Sequence, residues 1–351
     1  MAEPSAAPTS GPTPTPEASA AATSTVPPVA PQPPTVSSPL HGLMRAGGEL
    51  VALLYIAVIA AIACATGAVY VLFPELGALS HDVMTRPRGA WAGAPVLLAI
   101  TPVLTAIVGI VFTCALPYGY ASVLLTVGGS IAVVLGLRSP IAPSISAGLL
   151  PLVLGVRSRW YPPGILLGTA MLALISIAWK GFCRTRGGDA PATDEDLVDD
   201  LIEQAPHGYG WVAALMAFVA LAVFVVELTG LRFVLFPPLV VIGFEMLGHT
   251  AICPWARRPL VLPVACFLTA LGGFVSWRLL GVTPLAAACS MAWGIAVLRI
   301  FDLHVPPALA VALLPLVMDS PGPTYPVAVG LGTALLSAWF LAWQRISSAT
   351  A

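Results

Sequence analysis

The stretch that decides the fold runs from Arg299 to Trp343: RIFDLHVPPALAVALLPLVMDSPGPTYPVAVGLGTALLSAWFLAW. It has an echo earlier in the chain. Moving the sequence along itself by 164 positions lays Leu313-Leu314-Pro315-Leu316-Val317 on Leu149-Leu150-Pro151-Leu152-Val153 and Pro307 on Pro143. The same shift lays Tyr325-Pro326 on Tyr161-Pro162, Gly332-Thr333-Ala334 on Gly168-Thr169-Ala170 and Trp343 on Trp179. Upstream it pairs Pro259 with Pro95, Leu268-Thr269-Ala270 with Leu104-Thr105-Ala106, and Gly273 with Gly109. One residue of slippage then pairs Val234-Leu235-Phe236-Pro237 with Val71-Leu72-Phe73-Pro74. So many identities at one offset point to an internal duplication, and the function has to be read from two halves facing each other.

The chain of 351 residues is 58% hydrophobic and only 9% charged, with a mean hydropathy of +0.92. That leaves too little polar surface to cover a soluble globule of this size, so the expectation is an integral membrane protein. A spanning helix needs roughly 20 mainly apolar residues. The apolar runs here are continuous and Leu/Ala/Val-rich, without the alternation of a closed barrel, so the expected class is an all-α polytopic bundle. The net charge of −1 gives no sign of a nucleic-acid partner. Lys180 is the single lysine beside fourteen arginines. Six scattered cysteines without a C-x-x-C read as small buried apolar residues.

Along the chain, residues 1–45 form a Pro/Ala/Ser/Thr-rich tail expected to be disordered, with no basic start and apolar stretch of a secretory signal. Repeat 1 occupies 46–182, an acidic linker 183–208, repeat 2 209–345, and a short tail 346–351. In repeat 1 helices are expected over about 49–72, 94–116, 121–137 and 162–182, and in repeat 2 over about 209–236, 259–277, 284–298 and 326–343. The segments after the first helix of each half, around Asp82 and Glu245, are expected as loops that keep a carboxylate. Residues 139–155 and 304–318 are short and proline-broken, because each proline removes a backbone donor and disturbs the preceding turn. Each half is therefore expected to carry about four spanning helices plus one re-entrant or discontinuous helix. This layout puts Arg45, Lys180, Arg184, Arg186, Arg278 and Arg345 on the cytoplasmic side and leaves Arg86, Arg88, Arg157, Arg159, Arg257 and Arg258 outside. In the linker, Thr193-Asp194-Glu195-Asp196 precedes Leu197, Val198, Leu201 and Ile202, the pattern of a capped amphipathic helix suited to a membrane surface or a partner.

Broken backbone at membrane depth survives only when packed in protein or lining a polar cavity, so the breaks mark candidate substrate paths. Pro140, Pro143, Pro306 and Pro307 define them, and free helix ends there would present dipoles to anions. Ionisable groups nearby are the second signal, because charge at membrane depth is costly and usually functional or paired. Arg138 flanks the first break; Arg299, Asp302 and His304 flank the second. Glu227 and Arg232, five apart, could form a buried pair, and Asp82 could pair with Arg86 and Glu245 with Arg257. No Ser/His/Asp set, metal-ligand spacing or Gly-rich phosphate loop is present, so no enzyme, metal or cofactor is expected.

At His304-Val305-Pro306-Pro307-Ala308 the sequence resembles the HPP family of small membrane proteins, as do Phe73-Pro74-Glu75-Leu76-Gly77-Ala78 and Arg86-Pro87 upstream. The resemblance covers most of 50–180 and 210–343, and implies a fused pair of HPP-like units. Two features depart from the family: Val305 separates the histidine from Pro-Pro, and the first half has Pro140-Ile141-Ala142-Pro143 where the histidine would fall. Some members of that family are associated with nitrite transport. The expectation is therefore a transporter or channel in the cell (inner) membrane for a small anion, nitrite by analogy, or another small polar solute, with lipid as its surroundings and self-association left open. The alternative from another class is a non-transporting scaffold that binds partners through its tail and linker.

Overall fold

The computed structural model describes residues 39–185, 194–204, 206 and 208–350. The expected disorder of the N-terminal tail falls almost wholly outside them. Fourteen α-helices follow one another among the described residues, with no strand: α1 Pro39–Thr66, α2 Leu76–Thr85, α3 Ala90–Gly93, α4 Pro95–Ala115, α5 Tyr120–Gly136, α6 Ser144–Leu154, α7 Tyr161–Thr185, α8 Asp194–Ile202, α9 Gly210–Thr229, α10 Pro237–Gly248, α11 Val261–Leu280, α12 Pro284–Ile300, α13 Pro307–Leu313 and α14 Thr324–Thr350.

Six of these, α1, α4, α7, α9, α11 and α14, are long and apolar enough to cross a membrane. Their surfaces are turned inside out relative to a soluble protein. Leu50, Leu54, Val96, Ile107, Val111, Leu174, Phe224 and Leu228 lie exposed on them, while Thr101, Thr105, Thr169, Thr269 and Thr333 are wholly buried. Such a belt is stable against hydrocarbon and would aggregate in water. Thr269 Oγ1 donates 2.8 Å to Ala265 O and Thr333 Oγ1 2.8 Å to Val329 O within their own helices, while Thr101 Oγ1 pairs with Ser139 Oγ at 2.9 Å and Thr105 Oγ1 donates 2.6 Å to Ser144 O. A backbone carbonyl already in the helix ladder has a second lone pair, so these groups need no water.

Inside the ring stand four short helices, α2, α6, α10 and α13, each with nearly every residue buried. Two of them occupy stretches expected as loops, since α2 and α10 cover the segments around Asp82 and Glu245. Their all-round burial explains the misreading: a ten-residue helix hidden on every side need show no polar face and no amphipathic period. The first helix also differs from expectation, beginning at Pro39 and stopping at Thr66, where Gly67 takes φ 69° and a 3-10 turn follows at Val69–Val71.

The outer helices press on the inner ones where side chains are smallest. A methyl group placed on Gly109 of α4 would overlap the Gly148 carbonyl of α6, and one on Gly273 of α11 would overlap the Ala312 carbonyl of α13. Close backbone approach of this kind is how helices pack without a hydrophobic driving force between them. Tyr161 Oη donates 2.7 Å to Ala147 O and Tyr325 Oη 2.6 Å to Val311 O, tying the start of α7 to α6 and of α14 to α13. Tyr161 also meets Tyr70 edge-on at 5.4 Å, as Tyr325 meets Phe233 at 5.4 Å. Across the halves α1 packs on α12 and α9 on α5, while α2 meets α13 and α6 meets α10.

Candidate functional site

The second proline-broken stretch is aimed by the end of α12. Asp302 adopts φ 50°, a left-handed conformation uncommon for a residue with a side chain. Leu303 N donates 2.9 Å to Leu298 O and Asp302 N 3.2 Å to Arg299 O, the paired bonds of a Schellman closure. The turn leaves Arg299 on the last helical turn and swings His304 back toward the bundle. Arg138 takes φ 48° in the same kind of closure, with Ser139 N bonded to Val134 O at 2.9 Å.

Around His304 lies a pocket of about 650 Å³. Its charged and titratable lining consists of Arg45 and Glu49 from α1, His81 from α2, Asp199 from α8, Arg257 and Arg258 before α11, Arg299 from the last turn of α12, and Asp302 and His304 after it. Val198, Ile252, Ile295 and Leu298 supply apolar wall. Two arginines are occupied: Arg299 Nη2 donates to both oxygens of Glu49 at 2.6 and 2.5 Å, and Arg258 Nη2 stands 3.5 Å from Asp302 Oδ2. Arg258 Nη1 also donates to the carbonyls of Phe301 and Asp302 at 3.2 and 3.3 Å, holding the turn. Arg45 and Arg257 line the pocket with no ion pair among the described residues. His81 Nε2 lies 3.8 Å from Glu49 Oε1.

Arg45 thus shares one pocket with Arg257 and Arg258, which were expected on the opposite side.

The acidic linker helix α8 forms part of this wall. Only half of its expected apolar stripe, Val198 and Ile202, is turned in. Leu197 and Leu201 face outward, whereas Asp199, Glu203 and Ile202 turn in. The reason is Arg86, whose guanidinium takes Asp82 Oδ1 at 2.7 Å, Glu203, and Asp199 and Asp200 at 3.5 Å each. Asp200 Oδ1 further accepts from Ala90 N at 3.0 Å. A charged group removed from water is retained only when partnered, and one buried arginine fork draws the carboxylates of two elements onto itself. Asp199 reaches the motif histidine as well, its Oδ2 lying 3.0 Å from His304 Nε2 as a charge contact rather than an aligned hydrogen bond.

Of the residues singled out in the sequence, Arg299, Asp302 and His304 meet in the pocket, and Asp82 stands one residue-pair away through Arg86. The others do not gather there. Arg138 is exposed on the first half. Pro140 accepts a 2.9 Å bond from Trp91 Nε1 at its carbonyl, and Pro143 caps α6. Pro306 and Pro307 are buried at the start of α13. The half-helix ends at Pro143 and Pro307 do not offer free donors, because Ser144 N, Ile145 N, Ala308 N and Leu309 N already bond the carbonyls of Ile141, Ala142, Val305 and Pro306. Glu227 and Arg232 are not a pair: Glu227 is exposed on α9, and Arg232 donates 3.1 Å to Leu152 O with its guanidinium 4.4 Å above the Tyr118 ring. Glu245 is buried in α10 with Oε2 unpartnered, and is not bonded to Arg257.

Sequence reasoning missed Arg45, Glu49, His81, Asp199, Arg257 and Arg258 as pocket residues. Glu49 had a readable signal, a carboxylate at the start of a long apolar run. The rest come together only through the packing of α1, α2 and α8 on the α12–α13 turn. It also missed Glu75, which is 1% exposed with both carboxylate oxygens unpartnered.

A ring of lipid-length apolar helices around buried short ones, opening at one end in an arginine-rich pocket, defines a multi-pass helical membrane protein. Comparison of the chain with protein-family models, with curated proteins and with solved structures finds no match.

Proposed function

We propose that the protein moves a small anion across the cell membrane, and that the pocket beside His304 is where the anion enters. The observation that carries this reading is the pair Arg45 and Arg257, two permanently charged groups lining a pocket of about 650 Å³ without a carboxylate of their own among the described residues. An arginine keeps its charge at any working pH and offers a planar fork to an oxyanion. Nitrite fits the reading through the resemblance to HPP proteins, as a planar oxyanion small enough for such a site.

The architecture belongs to the same proposal. The two halves are duplicated units, supported by contacts that recur at the sequence offset: Tyr161 with Ala147 and Tyr325 with Val311, Gly109 against Gly148 and Gly273 against Ala312. Each broken stretch passes from end to end instead of dipping and returning. The Pro140 carbonyl meets Trp91, just before α4, while the Arg157 carbonyl lies 3.9 Å from Cys114 Sγ at the far end of α4. The halves then run in the same direction, with both termini at the pocket end. That end carries Arg45, Arg86, Lys180, Arg184, Arg257, Arg258, Arg299 and Arg345, against Arg157, Arg159, Arg232 and Arg278 at the other, so the pocket faces the cytoplasm. The scaffold alternative loses one of its two elements, since α8 is docked on its own bundle.

Uptake of nitrite, nitrate, chloride and bicarbonate into proteoliposomes tests the reading. Flux above empty liposomes for at least one anion is expected. No flux for any of them, in protein shown to be folded, together with loss of the cellular phenotype on deleting the tail, would replace it with the scaffold.

A further inference from the structure

Glu75 sits where a carboxylate is least expected. It caps α2, whose ten residues run toward the pocket end and finish at Thr85. At 1.5 Å per residue that places Glu75 roughly 15 Å below the pocket end, about half of a ~30 Å hydrocarbon core. The level of the other end of α2 is fixed by Met84, whose carbonyl touches Gly48 of α1 and accepts 2.8 Å from Trp179 Nε1. Glu75 is buried, neither of its oxygens has a hydrogen-bond partner, and no arginine, lysine or histidine stands against it. Its neighbour is the Ser146 hydroxyl on α6, itself unpartnered.

The other elements packed on α2 offer no countercharge. On α1 the Tyr55 hydroxyl is spent on Gly168 O at 2.8 Å, and on α7 the Tyr161 hydroxyl on Ala147 O. The sequence of α13, PALAVAL, holds nothing ionisable. The titratable group within electrostatic reach is Glu245 of α10, which in turn feels Asp82 and Asp199. These carboxylates descend from the pocket wall toward mid-membrane.

We propose that Glu75 is a proton-exchange site, and that the coupling ion of transport is the proton. An ionised carboxylate without a partner at this depth is too costly to persist, so the group carries a proton at rest. A permanent counterion would be the other way to keep it, and none stands beside it among the described residues. Releasing that proton toward Glu245 and Asp82 on the pocket side, and regaining it from the opposite end of the bundle, moves one positive charge past the centre of the bundle. Alongside an anion this makes the overall step electroneutral. The inference rests on the transport reading, which it deepens by naming the driving ion.

Two measurements test it. Purified full-length protein treated with the apolar carboxyl reagent dicyclohexylcarbodiimide is expected to be modified at Glu75, since the reagent requires a protonated carboxyl, and less so as pH rises. Glu227, exposed on α9, serves as the internal comparison. Equal or greater modification of Glu227 across the pH range overturns the proposal whether or not any variant folds. In proteoliposomes, anion uptake and lumenal pH are followed together. An inward proton gradient should drive about tenfold accumulation per pH unit at one proton per anion. Glu75→Gln should abolish the gradient response while keeping anion exchange between equal pools. Uptake that ignores the gradient sinks the proton site and leaves the anion reading standing. Loss of all anion flux in wild-type protein sinks the anion reading itself.

Discussion

His304 Nε2 stands 3.0 Å from Asp199 Oδ2, so the histidine beside the proline break before α13 faces a carboxylate of α8. That contact and the Arg86 cluster make α8 a wall of the pocket rather than a free connector. Arg86→Ala would leave Asp82 and Glu203 buried without their countercharge, a loss of about 3–5 kcal/mol for a buried pair. Asp199→Asn should cost less, because Asp82, Asp200 and Glu203 stay on Arg86 and the histidine partner is partly exposed. Denaturation midpoints in detergent, with limited proteolysis within α8, read both effects. An Arg86→Ala protein whose α8 stays as resistant as wild type would show that the helix is held by something else.

Docking of α8 should also depend on pH. Burial pushes the Glu203 carboxyl well above its ordinary 4.5, the Asp82 charge adds to this, and Arg86 opposes it. Asp200 is raised too, first by burial. A raised pKa means that the docked state holds the proton more tightly than the undocked one. Docking is therefore strongest below the ordinary value and weakens as pH rises through the folded one. Hydrogen exchange over residues 196–203 should quicken beyond the intrinsic rate as pH rises above the ordinary carboxylate value, and protection that is constant or grows would contradict this.

The two tyrosines offer a comparison between halves. Tyr161→Phe and Tyr325→Phe each leave one carbonyl, Ala147 O or Val311 O, without its side-chain donor, at about 1–3 kcal/mol for a buried group. The environments are so alike that the two losses should agree within about 0.5 kcal/mol. Thermal unfolding of the variants and their combination checks it; costs that differ severalfold would argue that the halves do not share one packing plan.

Glycine positions divide sharply. Gly109→Ala and Gly273→Ala put a methyl into a backbone carbonyl of the inner helix, and overpacking of this kind costs about 1–3 kcal/mol or more. Gly128→Ala meets only the flexible Met216 Cε at 3.7 Å and should be neutral. Expression yield and melting temperature in detergent separate them, and a neutral Gly273→Ala would mean that α11 and α13 can move apart.

The outer helices were legible because burial in lipid needs length and apolarity, which a sequence displays directly; α4 and the shorter α5 and α12 fall within two residues of where the pattern puts them. The short helices α2 and α10 were not, since a fully buried helix carries no period to read. The site was half legible. Arg299, Asp302 and His304 stand beside a visible proline break, while Arg45 and Arg257 are 212 positions apart and join only through tertiary packing. Glu227 and Arg232 show the opposite error: sequence proximity suggested a pair, but Gly230 at φ 70° ends α9 between them and turns Arg232 toward Tyr118.

Anion uptake by proteoliposomes of wild type, of Arg45→Ala/Arg257→Ala, and of Arg278→Ala at the opposite end of the bundle tests the central claim most directly. Both pocket arginines are exposed, so the double variant should fold. The account predicts uptake well above empty liposomes in wild type and in Arg278→Ala, and a fall of about tenfold or more in the double variant, the scale of electrostatic focusing into a charged cleft. Undiminished uptake in the double variant, or no uptake by folded wild-type protein, would contradict it.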